Sequence, residues 1–469
     1  MYRGTKKINL FVKAAAGEKK KEQLPGLLIA SITIPPFNSC GLVFVEVLFI
    51  CVAVHGSWEG KNKSTKAFGF TILITNLLTI TLVMIIGVLR EPSFETRVSL
   101  LAEAVVPLAK KNLTVYVETG AGAGAFCTDT DYEKAGAQIK TRSEVLAASD
   151  VLLAIHPVER PPAFSRLPAA QRHPVFIGVY QPLSNPGMIG SWAQQGDTVF
   201  SLDLLPRTTR AQAMDVLSSQ ANIAGYKAVL LAAGMYPRYF PMFMTAAGSI
   251  APAKVLILGA GVAGLQAVAT ARRLGAVVEV FDTRPSVKEE VMSLGAKFVE
   301  VEGAADASRA GGYAVEQSAE YLQKQQQRIA DSVAKSDIII TTAQIPGKKA
   351  PVLISVDMLN SMRKGSVVVD LAAATGGNTP LTKNNETVLY NGITIAGHSN
   401  LAATMPADAS KLYGKNILNF LQLLIDKDGS WIMNLEDELV KRCCVIHEGK
   451  IRNEKMKTDD PVPRSESTT

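Results

Sequence analysis

Residues 254–284 read KVLILGAGVAGLQAVATARRLGAVVEVFDTR, and the reading of this stretch decides the fold. Four apolar residues, 255–258, form a candidate buried strand that runs into Gly259-Ala-Gly261-Val262-Ala-Gly264. A helical pattern follows, and a second apolar run ends on Asp282. In such a strand-turn-helix each glycine has its own task. Gly259 permits the tight turn, Gly261 lets a pyrophosphate reach the backbone, and Gly264 lets the helix lie close on the strand. The helix start at Val262 offers unpaired N–H groups and a positive dipole end to phosphate. Asp282 can accept hydrogen bonds from both ribose hydroxyls and repels a 2′-phosphate, which favours NAD over NADP. Arg284 pulls the other way, because an arginine here can accommodate that phosphate. Thr283 lies between them, and Asp282, Thr283 and Arg284 join the glycine loop as candidate cofactor residues.

Strand and helix patterns alternate on both sides of this unit. Downstream lie DIIITTA, SVVVDLA and ITIAG; upstream lie TVYVE, DVLLAIH and VFIGVY. Short runs apolar on both faces are the mark of a parallel sheet covered by helices. The upstream end is ambiguous, because residues 67–89 hold 23 consecutive uncharged residues, long enough to span a membrane. They reach that length only by including MIIGVL, residues 84–89. Without it the run is 17 residues with four Thr and an Asn, and REPSFETR loses the strand that would position it. The strand reading is preferred. The fold expected is α/β, with two Rossmann-like, doubly wound parallel-sheet domains joined by long helices and preceded by an atypical hydrophobic N-terminal extension. The boundaries are 1–83 for the extension, 84–210 plus 405–449 for a first domain without cofactor, 211–240 for a linking helix, 241–404 for the NAD-binding domain, and 450–469 for a disordered tail. YPRYFPMFM, residues 236–244, reads as a hinge, and GAGAGAF, residues 120–126, as a turn whose third glycine falls one residue early.

Composition narrows the function. The formal charge is +7, yet residues 1–83 hold ten Lys and Arg against four Glu, so the body carries only about +1 and is no polyanion binder. No nucleic-acid partner is expected. Cys40, Cys51, Cys127, Cys443 and Cys444 have neither metal-ligand spacing nor a disulfide ladder, which fits a reducing compartment and no metal. His156 and His398 are isolated and read as structural.

A second polar constellation lies in LPRTTRAQAMDVLSSQANIAGYKA, residues 204–227, with Arg207, Gln212, Asp215 and Ser218. The last three recur at intervals of three and share a helical face. A nicotinamide carboxamide needs a donor and an acceptor, which Gln and Ser supply, while Arg meets phosphate or fixes the Asp. Equally, Asp215 can simply cap a helix starting at Val216 with the others solvated.

GVLREPSFETRVSL, PRTTRAQAMDVLSSQANIAGYKAV, LGAGVAGLQAVATARRLGAVVEVFDTR, AGGYA and TTAQIPGKKAPVLI, in this order, resemble the NAD(H)-binding domain of proton-translocating nicotinamide nucleotide transhydrogenases. The resemblance implies direct hydride transfer between NAD(H) here and NADP(H) on a partner, coupled to proton translocation by a membrane-spanning subunit. It implies a homodimer, peripheral on the cytoplasmic face of a bacterial plasma membrane. It places Arg207, Gln212, Asp215 and Ser218 around the nicotinamide, a mobile loop with Gly312 and Tyr313 over the nucleotide, and Gln344 among the cofactor contacts. The length matches the separate α1-type subunit, so no C-terminal membrane bundle is expected. Nothing in the family pattern matches residues 1–83, so Met84 reads as the true start, with a membrane anchor as second choice.

Two rivals stay open. Alanine dehydrogenases share the architecture, but their Lys and His for pyruvate are not found at AIHP and VYQP, although Arg97 is retained. A non-catalytic NAD-binding module would need only the glycine loop and Asp282.

Overall fold

The computed structural model describes residues 6–11, 29–34, 83–158, 174–301 and 318–452. The chain divides into two compact units, Met1–Val83 with Ser430–Met433 and Met84–Gly429 with Asn434–Thr469. In the first unit, β1 (Lys6–Phe11) pairs antiparallel with β2 (Ile29–Ile34). The rest of the N-terminal extension and the tail from residue 453 lie outside the described residues. Among the described residues no helix is long and apolar enough to cross a membrane.

The second unit holds two large sheets. The first receives β3 (Ile85–Val88), β4 (Thr114–Glu118), β5 (Gln138–Lys140), β6 (Val151–Leu153), β7 (Val175–Gly178) and β8 (Thr198–Ser201). A small hairpin follows, β9 (Phe243–Thr245) and β10 (Gly248–Ile250). The second sheet then takes β11 (Lys254–Leu258), β12 (Val277–Phe281), β13 (Lys297–Phe298), β14 (Ile338–Thr341), β15 (Val367–Asp370), β16 (Thr387–Tyr390) and β17 (Ile393–Ala396). The chain finally returns to the first sheet with β18 (Cys444–His447) and β19 (Lys450–Ile451).

The first sheet runs β19-β18-β8-β7-β6-β3-β4-β5 and the second β13-β12-β11-β14-β15-β17-β16. Counted within each sheet, the parallel strands follow the order 3-2-1-4-5-6 of a doubly wound dinucleotide fold. Only β18 and β19 in the first sheet, and β16 in the second, run antiparallel at an edge. MIIGVL is thus a central strand: β3 pairs in parallel with β4 and with β6. Successive residues of a strand face opposite sides, and both sides are covered here. Val255 and Ile257 pack with Ala228, Val229 and Ala232, whereas Leu256 and Leu258 pack with Ile329, Val333 and Met358.

Two elements differ from the sequence reading. The long helix begins at Val216, not near residue 211: Thr209–Met214 winds as a 3-10 helix and Asp215 caps the α-helix that follows. The 3-10 segment is held from outside, where Asn416 and Asn419 each donate to the Ala213 carbonyl at 2.9 Å. The supposed hinge is partly core, since Tyr236 and Phe240 are buried with the second sheet, edge to face at 6.3 Å.

Helix Val216–Met235 meets helix Val262–Arg273 at Gly225, where a Cβ would collide with the Ala263 carbonyl oxygen. Gly225→Val should therefore force the two helices apart and cost on the order of 1–3 kcal/mol. Urea unfolding of the full chain reads this directly, and an unchanged midpoint would contradict the close packing.

Candidate functional site

The fingerprint folds as its glycines require. Gly259, which ends β11, has φ +108°, a conformation natural to glycine, and a Cβ there would strike the Thr342 hydroxyl. A Cβ on Gly264 would strike the Gly259 carbonyl oxygen, so the helix start lies against the turn. Above Gly261 nothing lies within 4 Å of a Cβ position. Helix Val262–Arg273 starts there without a side-chain cap, leaving its first N–H groups directed at that space. An open place over uncapped amides fits a pyrophosphate. It also lies at the carboxyl ends of β11 and β14, where the strand order reverses and dinucleotides bind in such folds. Thr342, just past β14, ties the two strand ends together: its N–H donates to the Leu258 carbonyl at 2.9 Å and its hydroxyl to the Gly259 carbonyl at 3.2 Å.

At the end of β12, Asp282 is half-buried and accepts the Ala260 N–H at 2.7 Å. Arg284 closes on the same carboxylate through its Nε at 2.9 Å and its Nη2 at 2.8 Å. Thr283 lies half-buried between them and Val262 is exposed at the helix start. Gln344, on the loop after β14, donates to the Leu371 carbonyl at 2.8 Å.

That loop has a buried support which the sequence reading missed. Asp370, at the end of β15, accepts from the N–H of Ala372 at 2.9 Å, the N–H of Asn378 at 2.6 Å and the hydroxyl of Thr382 at 2.6 Å. Asn378 in turn donates to the carbonyls of Ala343 and Pro351 at 2.9 and 2.8 Å. The only sequence signal was TGGN, residues 375–378, a turn followed by an amide.

The second constellation occupies the start of helix Val216–Met235. Asp215 accepts the Ser218 N–H at 2.9 Å and the Ser218 hydroxyl at 2.6 Å, while Arg207 and Gln212 are exposed. Capping and a binding role are compatible, because the Ser218 oxygen keeps its lone pairs. Ser218 precedes the Gly225 contact by two helical turns, about 10 Å. This places the segment on the rod that touches the nucleotide-binding helix. Gly312 and Tyr313 lie outside the described residues.

The corresponding crevice of the first sheet is filled by its own side chains. Residues read as part of an amphipathic helix are extended, and the helix is confined to Ala102–Ala109. Arg97 is buried and donates to Glu95 through Nε at 2.8 Å and Nη2 at 2.6 Å, to Gln220 at 2.8 Å and to Asn400 at 3.2 Å. His156 meets the same Glu95 at 2.8 Å. Glu91 accepts the N–H of Ile155 at 2.6 Å and of His156 at 3.1 Å. Burial pushes the Glu91 carboxyl up to about 7 despite these hydrogen bonds. Burial also works to raise Glu95, but hydrogen bonds from Arg97 and His156 overcome it and hold that carboxyl far below its ordinary range. GAGAGAF follows β4 rather than β3 and forms turns and a short 3-10 helix, away from this crevice. Among the described residues no cluster of His, Cys, Asp and Glu is arranged to hold a metal ion.

The chain matches the family described as "Alanine dehydrogenase/PNT, N-terminal domain" over residues 87–224 and its "C-terminal domain" over residues 228–454. The first of the separately encoded pieces of the NAD(P) transhydrogenase alpha subunit of Rhodospirillum rubrum is 44% identical over 367 residues, 77% of this chain and 95% of its own length. The corresponding protein of Rickettsia prowazekii is 42% identical over 360 residues, 76% of this chain and 93% of its own. A solved transhydrogenase from Sinorhizobium meliloti shares 44% identity at a TM-score of 0.69, covering 78% of this chain and 99% of its own. A solved L-alanine dehydrogenase at 22% identity and a TM-score of 0.64, covering 80% and 98%, shows the shared fold.

The filled crevice carries a pH signature. Glu91 has its folded pKa raised from 4.5 to about 7, so its contribution is complete below 4.5 and is lost as pH rises through 7. Glu95 works in reverse, contributing above its unfolded value and failing only in stronger acid. The unfolding free energy should therefore rise from pH 7.5 to pH 5 by on the order of 1–3 kcal/mol more in the wild type than in Glu91→Gln. Parallel profiles for the two proteins in urea titrations would refute the assignment.

Proposed function

The chain belongs to the alanine dehydrogenase/PNT family, and from that premise we propose that it is the NAD(H)-binding alpha subunit of a proton-translocating, Re/Si-specific NAD(P) transhydrogenase. The bound nucleotide supplies the hydride chemistry, exchanging hydride directly with NADP(H) held by a partner subunit. A membrane-spanning partner couples this to proton translocation. The subunit works as a homodimer, peripheral on the cytoplasmic face of the plasma membrane.

The observation that carries this reading over amino-acid oxidation is the state of Arg97. A dehydrogenase of a small amino acid needs a cation for the substrate carboxylate. Arg97 has Nε, Nη1 and Nη2 committed to Glu95, Gln220 and Asn400 within a buried cluster. The glycine loop and Asp282, by contrast, form a crevice suited to a dinucleotide. Ring-to-ring hydride transfer releases no proton locally, so this chain needs no general base. It needs orientation and exclusion of water.

Roles follow from positions. Gly259, Gly261, Val262 and Gly264 hold the pyrophosphate. Asp282, Thr283 and Arg284 face the adenosine ribose. Ser218, with its hydroxyl proton fixed on Asp215, presents an acceptor to the nicotinamide carboxamide. Gln212 supplies the complementary amide and Arg207 faces the phosphates. Gln344 borders the ring, and Gly312 and Tyr313 close over it.

Full-length chain mixed with an isolated NADP(H)-binding transhydrogenase domain should reduce an NAD+ analogue at the expense of NADPH and should not oxidise L-alanine. Arg207→Ala, Asp215→Asn and Tyr313→Ala should each slow transfer by about tenfold or more. Asn keeps the helix cap, so Asp215→Asn tests chemistry rather than folding. Alanine oxidation by the wild type, or unchanged transfer in all three variants, would overturn the reading.

A further inference from the structure

The Asp282 carboxylate is saturated. Two oxygens offer about four lone-pair sites, and four donors fill them. Oδ2 accepts the Ala260 N–H at 2.7 Å and Arg284 Nη2 at 2.8 Å; Oδ1 accepts the Arg284 N–H at 2.8 Å and Arg284 Nε at 2.9 Å. A ribose that hydrogen-bonds to this carboxylate must displace two of the four. The two backbone N–H groups are fixed by the glycine turn and by the chain after β12. Only the guanidinium can leave, and it vacates two sites where the ribose brings two hydroxyl donors.

We propose that Arg284 is a specificity-determining residue. Its side chain is the group that the ribose hydroxyls displace from Asp282, and it becomes a ligand for a 2′-phosphate only when the Asp282 carboxylate is removed. This rests on the reading that the crevice holds NAD(H). The planar guanidinium fork fits carboxylate and phosphate alike, so the two anions compete for one cation. While Asp282 is present, a 2′-phosphate either meets its negative charge directly or takes Arg284 and leaves that charge unpaired. Both outcomes disfavour NADP(H). Asp282 thus discriminates twice, by recognising the hydroxyls and by keeping Arg284 from the phosphate. The side chains of the pair are 17% and 7% exposed, so bulk solvent screens neither group fully.

The test is binding of NADH and of NADPH, each alone, by the full chain in four forms: wild type, Asp282→Asn, Arg284→Ala and the double variant. The wild type should bind NADH about tenfold or more tighter than NADPH. Asp282→Asn should weaken NADH and tighten NADPH, each by about tenfold, and the double variant should lose the NADPH gain. Arg284→Ala, which removes the competitor, should tighten NADH severalfold. A gain in NADPH affinity that is absent from Asp282→Asn, or that survives in the double variant, overturns the proposal. So does a loss of NADH affinity in Arg284→Ala, which would make Arg284 a direct ligand. Asp282→Ser, read by the same titrations, serves should the amide variant melt early. A wild type that binds neither nucleotide would instead overturn the reading of the crevice itself.

Discussion

Close approach of backbones, possible only where side chains are missing, is the constraint on which the rest of this structure depends. Gly264 lies against the Gly259 carbonyl and Gly225 against the Ala263 carbonyl. The first contact presses the nucleotide-binding helix onto its strand and directs its uncapped amides at the switch point. The second presses the linking helix onto that same helix, one residue from Gly264. The linking helix is a continuous rod from Val216 to Met235, so the position of Gly225 also sets where Asp215 and Ser218 come to rest. Two glycine contacts therefore locate both polar constellations from a common origin.

The two sheets share one strand order yet differ in what lies at the reversal point. In the second sheet that place is lined by glycine backbone and bordered by a carboxylate. In the first it is packed with Glu91, Glu95, Arg97 and His156, linked to Gln220 on the rod and to Asn400 after β17. Isolated buried charges are costly, and such groups are retained when they are paired and hydrogen-bonded on all sides. Here the pairing reaches across elements from both halves of the unit. The crevice of the first sheet thus serves as a polar joint, and the crevice of the second as the place for a ligand. Equivalent topology has been put to different use by side chains alone.

The strands were legible because both of their faces are buried, which writes near-continuous apolar runs into the sequence. The fingerprint was legible because its glycines answer to backbone geometry, a local requirement. What escaped was set by distant partners. The helix start at Val216 depends on Asn416 and Asn419, some 200 residues away, which hold Thr209–Met214 in a tighter winding. The stretch from Arg97 to Leu100 has helical spacing, but its polar groups are claimed by Glu95, Ser410 and the Leu153 carbonyl. The Ser218–Asp215 bond is half legible: the spacing is visible, but from spacing alone capping and ligand binding read as alternatives. The geometry allows both at once.

A site built for hydride exchange between two rings has to be stiff where it orients and free where the partner arrives. The carboxylates supply the stiffness. Asp370 holds the turn at Asn378, which holds the loop after β14; Asp215 holds Ser218; Asp282 holds the Ala260 amide. In each case an acidic oxygen accepts from a backbone N–H, a charge-assisted bond stronger than its neutral counterpart, and a loop is fixed in place without occupying the crevice. Arg284 departs from this pattern, being a long side chain laid over one of those carboxylates. The other acids are anchors, whereas Asp282 is both an anchor, through Ala260, and a recognition group that its own chain keeps covered.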